Sequence, residues 1–128
     1  VFFNSLSDLG ATEERLQFNG ASAISLASDI NVKFRKIILE KFKNHEISLL
    51  LGTDLLARGI DIENLEVVIN FDIPRDREAY THRAGRTGRM GNEGSVISLV
   101  THPEDLKKLK KFAKVSELVL KNQELHEK

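Results

Sequence analysis

The sequence has no cysteine, no tryptophan, one tyrosine and two prolines among its 128 residues. The lack of cysteine excludes disulfide bonds and cysteine-ligated zinc. Its four histidines stand far apart, without the spacing of metal ligands, so we expect no metal site. The longest apolar run, residues 47–51, has the length of a strand and falls far short of the roughly 20 residues of a membrane-spanning helix, so no membrane contact is expected.

The chain also lacks net charge, because 19 basic and 19 acidic residues balance. This balance argues against nucleic-acid binding through a bulk electrostatic field, for which a markedly basic domain is typical. The basic residues are unevenly spread, however, and one short stretch contains five arginines: Arg75, Arg77, Arg83, Arg86 and Arg89. The sequence is therefore compatible with a local basic face.

Length and composition indicate a single globular domain over residues 1–128. With 41% hydrophobic and 30% charged residues, the chain can bury one core and is too short for two. No leader sequence is visible, which favours a cytoplasmic location. The chain lacks an initiator methionine and opens on the strand-forming run Val1-Phe2-Phe3, so we expect it to be a fragment of a longer protein.

Short apolar runs alternate with helical patterns, which is typical of an α/β domain whose parallel sheet carries helices on both faces. The runs predict strands at residues 1–3, 23–26, 47–51, 66–70 and 94–100. Helical spacing predicts helices at 8–18, 34–42, 77–84 and 104–112. In the second helix, the residues expected to face the core are Phe34, Ile37, Ile38 and Phe42. The tail beyond Val115 suits either a strand or a frayed end.

Polar residues and glycines follow the third predicted strand. Ligands of such sheets bind beyond the carboxyl ends of the strands, so Gly52 and Thr53 are candidates to offer backbone N–H groups and a hydroxyl to a phosphate. Arg58 and Asp61 stand on either side of Gly59, which allows a tight turn. A turn closed by a salt bridge would explain the same pattern.

A second stretch, His82-Arg83-Ala84-Gly85-Arg86-Thr87-Gly88-Arg89, suits neither a helix nor a strand. Arginines spaced by three, with glycines between them, can converge on one anion. A planar guanidinium also suits bidentate phosphate contact better than lysine does. We interpret the stretch as a phosphate-binding segment, with a solvated basic loop as the alternative.

Both stretches resemble motifs of DEAD-box RNA helicases. Residues 53–61 resemble motif V, and residues 82–89 match motif VI, His-Arg-x-Gly-Arg-x-x-Arg, at every defined position. Phe3-Asn4-Ser5 is similar to motif IV at the end of the opening strand. The resemblance covers nearly the whole chain. It implies the second, C-terminal RecA-like domain of such an enzyme, a three-layer α/β fold with a mostly parallel sheet.

The resemblance also implies the residues that bind ATP. Arg86 and Arg89 resemble the catalytic arginines that reach across the interdomain cleft to the ATP phosphates. Asp61 resembles the carboxylate that accepts from the ribose hydroxyls, and Arg58 and Gly59 stand beside it in the same motif. With Arg58, two further residues resemble those that couple the nucleotide to the closed interface between the domains: His82 and Arg83.

Contacts to RNA are implied for four residues: Ser5, Gly52, Thr53 and Arg35. Arg35 stands at the arginine of motif IVa, but Val32 replaces the glutamine of that motif, which puts one RNA contact in question. Two further departures are Leu56, where a small residue is usual, and Ala27-Ser28-Asp29, which replaces a common His-Gly-Asp. We interpret both as variation within the family.

Two motifs of the family are absent from the sequence. It contains neither a Gly-x-x-x-x-Gly-Lys-Ser/Thr phosphate loop nor an Asp-Glu-Ala-Asp run. The resemblance assigns both to an N-terminal RecA-like domain. ATP with Mg²⁺ held by that domain is therefore the expected cofactor of the longer protein, and this chain alone is expected to be inactive. The expected partners are RNA and the N-terminal domain, with a monomer as the expected state.

Two other functions remain compatible with the sequence. A DNA helicase or translocase would carry a related second motor domain, although its arginine motif often opens with Gln where His82 stands. A stand-alone module that binds RNA or protein would need no ATP cycle. A Rossmann-like metabolic enzyme is rejected because no Gly-x-Gly-x-x-Gly follows a strand.

Overall fold

The computed structural model describes residues 1–26, 31–54, 62, 65–87 and 94–115. Within these residues, strands and helices alternate as β1 Phe2–Phe3, α1 Leu6–Phe18, β2 Ala23–Ser25, α2 Val32–Lys43, β3 Leu49–Thr53, β4 Val67–Asn70, α3 Arg77–Ala84, β5 Ser95–Ser98 and α4 Pro103–Val115. The α/β alternation predicted from the apolar runs is confirmed. No helix in the described part is long and apolar enough to cross a membrane.

The five strands form one sheet in the order β2-β3-β1-β4-β5, and every neighbouring pair is parallel. The connection after β1 leads to one edge of the sheet, whereas the connection after β4 leads to the other edge. Because crossovers between parallel strands are right-handed, these two directions place helices on opposite faces. They also open a crevice between the carboxyl ends of β1 and β4, where sheets of this kind bind ligands.

Helix α1 packs against one face of the sheet through a buried cluster of Phe3, Leu9, Ala23 and Leu51. Phe71 stacks on Phe3 with 4.6 Å between the ring centroids. Successive residues of a strand point to opposite faces, so the neighbours of these strand residues face the other way. On that opposite face, α2 packs through a second cluster that is centred on buried Leu26 and includes Ile38, Leu39 and Leu50.

The inner side of α2 differs from the predicted one. Phe34 and Ile37 are 63% and 46% exposed, so the prediction that they face the core is wrong for these two residues. Ile38 and Phe42 are half-buried as predicted, and Leu39 is half-buried with them. At 100° per residue, these three lie within an arc of about 100°, which is rotated away from Phe34 and Ile37.

A third cluster joins α3 to α4. Tyr80 of α3 packs with Leu109 and Phe112 of α4 and with Ile73, which lies between β4 and α3. The Tyr80 and Phe112 rings lie 5.8 Å apart between centroids, a distance at which aromatic pairs attract. The C-terminal helix therefore holds α3, and with it the beginning of the arginine-rich segment, against the domain.

The bounds of β3 differ from the predicted ones. The strand runs from Leu49 to Thr53, two residues later than the apolar run that predicted it. Gly52 pairs with Phe2 and Thr53 with Phe3, and the Gly52 N–H donates to the Val1 carbonyl at 2.9 Å. The prediction that this N–H is open to a phosphate is therefore wrong, because pairing with β1 consumes it.

Candidate functional site

Arg83 is fully buried at the carboxyl edge of the sheet, with 0% of its surface exposed. It lies in the last turn of α3, which begins at its N-cap Asp76 and ends at its C-cap Gly85. A buried charge is costly unless it is paired and fully hydrogen-bonded. The surroundings of Arg83 meet that condition through residues from the ends of three strands.

All five N–H donors of the Arg83 guanidinium are used inside the domain. Nε and Nη2 donate to the two carboxylate oxygens of Asp54, each at 2.7 Å, in a bidentate ion pair. Nη2 also donates to Asn4 Oδ1 at 2.7 Å, while Nη1 donates to the Asp72 carbonyl at 2.9 Å and to Asn70 Oδ1 at 3.4 Å. Since arginine has only five such donors, none is left for a ligand.

Asn4 occupies the crevice between β1 and β4 and uses each of its polar groups there. Its backbone N–H donates to Asp72 Oδ2 at 2.8 Å, and its side-chain NH₂ donates to the Ile73 carbonyl at 3.0 Å. Its carbonyl oxygen accepts from Arg75 at 3.2 Å, and its side-chain oxygen accepts from Arg83. A single asparagine thus ties the end of β1 to the segment that follows β4.

Arg86 lies one turn beyond Arg83, where α3 gives way to a tight turn. Its backbone N–H donates to the Arg83 carbonyl at 3.3 Å, and its own carbonyl accepts from the Leu65 N–H at 2.9 Å. Thr87 forms an isolated parallel bridge with Leu65, and its hydroxyl donates to the Leu65 carbonyl. The bonds to Leu65 fasten Thr87 and the half-buried Arg86 to the entrance of β4, and the bond to Arg83 ties Arg86 to α3.

A cleft of about 750 Å³ borders Arg86 on the α2 face of the sheet. Within the described residues, its lining also includes Thr53 and Gly52 of β3 and Phe2 of β1. The structure thus brings together two residues that the sequence assigned to different ligands, Arg86 to ATP and Thr53 to RNA. Arg86 contributes a cationic side chain to this cleft, whose lining is otherwise mostly apolar.

Comparison with known proteins identifies this arrangement. The profile of the family described as the helicase conserved C-terminal domain matches residues 1–91, a span that contains the whole Arg83 cluster. The chain belongs to this family. The helicase C-terminal domain that the resemblance of motifs V and VI implied is thereby confirmed.

Relatives of this helicase C-terminal domain include bacterial RNA helicases. The ATP-dependent RNA helicase DeaD of Buchnera aphidicola is 40% identical over 86 residues, which cover 67% of this chain and 14% of that protein. The protein of the same name from Escherichia coli is 42% identical over 73 residues, covering 57% of this chain and 12% of that protein. The chain thus matches only a small part of each relative.

Solved structures show the same fold and the DEAD-box type of the domain. The C-terminal domain of the DEAD-box protein Dbp5 is 30% identical, with a TM-score of 0.80 over 90% of this chain and 67% of that chain. A DEAD box protein of Methanococcus jannaschii is 33% identical, with a TM-score of 0.76 over 92% of this chain and 32% of that one. Saccharomyces cerevisiae Dbp5 bound to RNA and ADP BeF3 is 30% identical, with a TM-score of 0.78 over 88% and 30%. The expected RecA-like architecture is confirmed.

The predicted site residues occupy distinct places in the domain. Ser5 is the N-cap of α1, where its hydroxyl accepts from Asp8 N–H at 3.3 Å and donates to the Asp8 carboxylate at 3.1 Å. His82 is exposed on α3, and Arg35 is half-buried near the start of α2. Several predictions lie outside the described residues: those for Arg58, Gly59, Asp61 and Arg89, for Leu56 and Ala27-Ser28-Asp29, and for the tail after Val115.

The arginine spacing misled the prediction for one residue. Their spacing allows Arg83, Arg86 and Arg89 to converge on one anion, but the anion that Arg83 binds is Asp54 of its own domain. Helical continuation through Ala84 turns Arg83 inward, while the turn at Gly85 separates it from Arg86. The Arg83 guanidinium is therefore bound within its own domain.

Sequence reasoning assigned no function to several residues of the cluster: Asn4, Asp54, Asn70 and Asp72. The signal was present, because each stands at or just after the end of an apolar strand run. In a parallel sheet those ends meet at one edge. Asn70, at the end of β4, is 0% exposed, and its NH₂ donates to the Ser98 hydroxyl at 3.1 Å. A polar residue at the end of an apolar strand run thus indicated where the cluster lies.

Proposed function

We propose that this domain is the second motor domain of an ATP-dependent RNA helicase that remodels RNA duplexes locally. The observation that carries the proposal is the cleft that both Arg86 and Thr53 line, in a domain of the DEAD-box type. The domain would bind RNA through Ser5, Thr53 and Arg35, and it would complete an ATP site of the N-terminal domain through Arg86.

On the ATP side, the proposal assigns the decisive charge to Arg86. Arg86 lines the cleft, and its side chain donates to the Ile62 carbonyl at 3.4 Å. A phosphate oxygen is a charged acceptor, with which a guanidinium forms short and strong hydrogen bonds. An arginine placed on the transferred phosphoryl group accelerates transfer by on the order of a thousandfold or more. In the proposal, Arg89 shares this catalytic role, and three further residues bind the ATP: Asp61, Arg58 and Gly59.

On the RNA side, the proposal assigns backbone contacts to Ser5, Thr53 and Arg35. Thr53 at the end of β3 pairs with Phe3 at the end of β1, and Ser5 follows Phe3 by two residues. Ser5 and Thr53 therefore lie at the ends of neighbouring strands. Hydroxyls and arginines at such positions bind phosphates and sugars, which carry no sequence information. We therefore expect little sequence preference from this domain, and discrimination of RNA from DNA through the 2′-hydroxyl.

Magnesium belongs to the other half of the enzyme in this proposal. No group of three or more acidic or histidine side chains in the described residues is arranged to hold a metal ion. The domain's own contribution is cationic, through arginine. The N-terminal RecA-like domain would hold Mg²⁺ with the ATP, and the longer protein would act as a cytoplasmic monomer.

The test is steady-state ATP hydrolysis by the full-length protein with no nucleic acid, with RNA and with DNA. We expect stimulation by RNA and, for Arg86→Ala, a fall in turnover of about a thousandfold. Arg77→Ala is the matched control, because Arg77 is exposed at the start of the same helix. Stimulation by DNA instead of RNA would favour a DNA helicase, and turnover indifferent to both would favour a binding module without an ATP cycle.

A further inference from the structure

The residues that bind the Arg83 guanidinium are chain neighbours of the proposed ligand contacts. Asn4 directly precedes Ser5, and Asp54 directly follows Thr53. Arg83 itself stands one helical turn before Arg86, and their backbones are hydrogen-bonded. One buried side chain therefore joins the ends of β1 and β3, on the proposed RNA side, to the turn that carries the proposed ATP-binding arginine.

The geometry around Arg83 resists any partial movement. The guanidinium lies 5.3 Å from the centre of the Phe2 ring, and each of its N–H groups has a partner among Asn4, Asp54, Asn70 and Asp72. Moving one partner away leaves a buried donor unsatisfied, which costs far more than an exposed hydrogen bond contributes. The strand ends and α3 are thus expected to shift together or not at all.

We propose that Arg83 is a positioning residue that makes the RNA-contacting strand ends and the Arg86 turn one rigid unit, with Asn4 as its link to the end of β1. The inference rests on the function proposed above. It places the coupling role of Arg83 inside this domain, since its buried and saturated guanidinium does not reach a ligand. RNA that sets the position of Ser5 and Thr53 would thereby set the position of Arg86.

In such a unit, RNA binding and nucleotide binding affect each other's affinity. If RNA binding raises the affinity for the nucleotide by a given factor, the nucleotide must raise the affinity for RNA by the same factor. A variant that loosens the unit should reduce this factor without touching either ligand. A residue that served the fold alone would change the amount of folded protein and leave the factor unchanged.

The experiment measures RNA affinity of the full-length protein with and without ADP beryllium fluoride, and takes the ratio as the coupling factor. Asn4→Ala removes the acceptor for Arg83 and the donor to the Ile73 carbonyl. Asp54→Asn weakens the bidentate ion pair and is the second variant. Both avoid Arg83 itself, whose replacement would leave several buried partners unsatisfied. Thermal unfolding of each variant establishes that it is folded.

Asp76→Ala is the matched control. Asp76 caps the other end of α3, where its carboxylate accepts from the Ala79 N–H at 2.8 Å, so this variant weakens the same helix without contacting the cluster. We expect Asn4→Ala and Asp54→Asn to lower the coupling factor at least about fivefold, and Asp76→Ala to keep it. Folded Asn4→Ala and Asp54→Asn with unchanged coupling would overturn the inference alone. Wild-type protein without nucleotide-dependent RNA binding would overturn the proposed function as well.

Discussion

Gly10 inside α1 and Gly20 just beyond its end should respond to the same substitution with opposite signs. Gly10 lies inside the helix and is exposed, and a Cβ placed on it would meet nothing within 4 Å. Gly20 follows the C-cap Asn19 with φ of 85°, and its N–H donates to the Gln17 carbonyl at 3.0 Å. This is the helix ending in which a left-handed residue satisfies the last carbonyl groups.

The magnitudes follow from backbone conformation alone, because the space around Gly20 is also open. Gly10→Ala should stabilise the fold by about 1 kcal/mol through helix propensity. Gly20→Ala should destabilise it by about 1 kcal/mol, since a Cβ disfavours the left-handed region.

His45, just beyond the end of α2, allows the opposite substitution, in which glycine replaces a residue with a Cβ. Its φ is 62°, its N–H donates to the Phe42 carbonyl at 3.1 Å, and the next N–H, of Glu46, donates to Lys41 at 2.9 Å. His45 thus occupies the position that Gly20 occupies after α1. His45→Gly should stabilise by up to about 1 kcal/mol, reduced by the greater freedom of glycine in the unfolded chain.

Urea unfolding of the 128-residue chain, followed by far-ultraviolet circular dichroism, measures these changes. The midpoints should move while the slope against urea stays constant, because the surface exposed on unfolding is unchanged. In thermal unfolding, each 1 kcal/mol corresponds to about 4 °C for a domain of this size. Gly10→Ala and Gly20→Ala that shift the midpoint in the same direction would refute the reasoning, as would a destabilising His45→Gly.

Two further predictions concern the 128-residue chain itself. Burial, with a smaller contribution from the Arg83 guanidinium, lowers the pKa of the Val1 amino group from 8.0 to about 6. The unfolded chain then binds this proton more tightly, so stability should rise by at most about 3 kcal/mol from pH 6 to pH 8. Acetylation of Val1 keeps an N–H for the Leu50 carbonyl and should abolish this part of the pH dependence in urea titrations. The chain alone should also fail to hydrolyse ATP in a phosphate-release assay, because it lacks a phosphate loop, and turnover above that of its Arg86→Ala variant would disprove this.

Local sequence patterns predicted most of the fold. The helix predicted over residues 77–84 is α3, because Asp76 provides a cap at its start and Gly85 lies at its end. The strands also appear where apolar runs stand between polar residues, since a sheet covered on both faces needs such runs. In β3, however, the strand extends through Gly52 and Thr53, which no apolar pattern marks. Pairing with β1, a contact between distant parts of the chain, sets that end.

The candidate site was predictable in its residue types and less so in its partners. Arg86 was singled out by motif, and the structure places it in a cleft with Thr53. The burial of Arg83 was not visible in the sequence, because its acceptors come from Asn4, which lies 79 residues away, and Asp54, which lies 29 residues away. Arginine spacing alone does not distinguish a guanidinium that binds a ligand from one that binds its own domain.

We propose that this domain supplies Arg86 to an RNA-dependent ATP site. The deciding measurement is ATP hydrolysis by the full-length protein with and without RNA, for wild type, Arg86→Ala and the exposed control Arg77→Ala. We expect RNA to stimulate the wild type and Arg77→Ala alike, and Arg86→Ala to be folded and nearly inactive. Wild-type turnover that ignores RNA, or a folded Arg86→Ala with wild-type turnover, would contradict it.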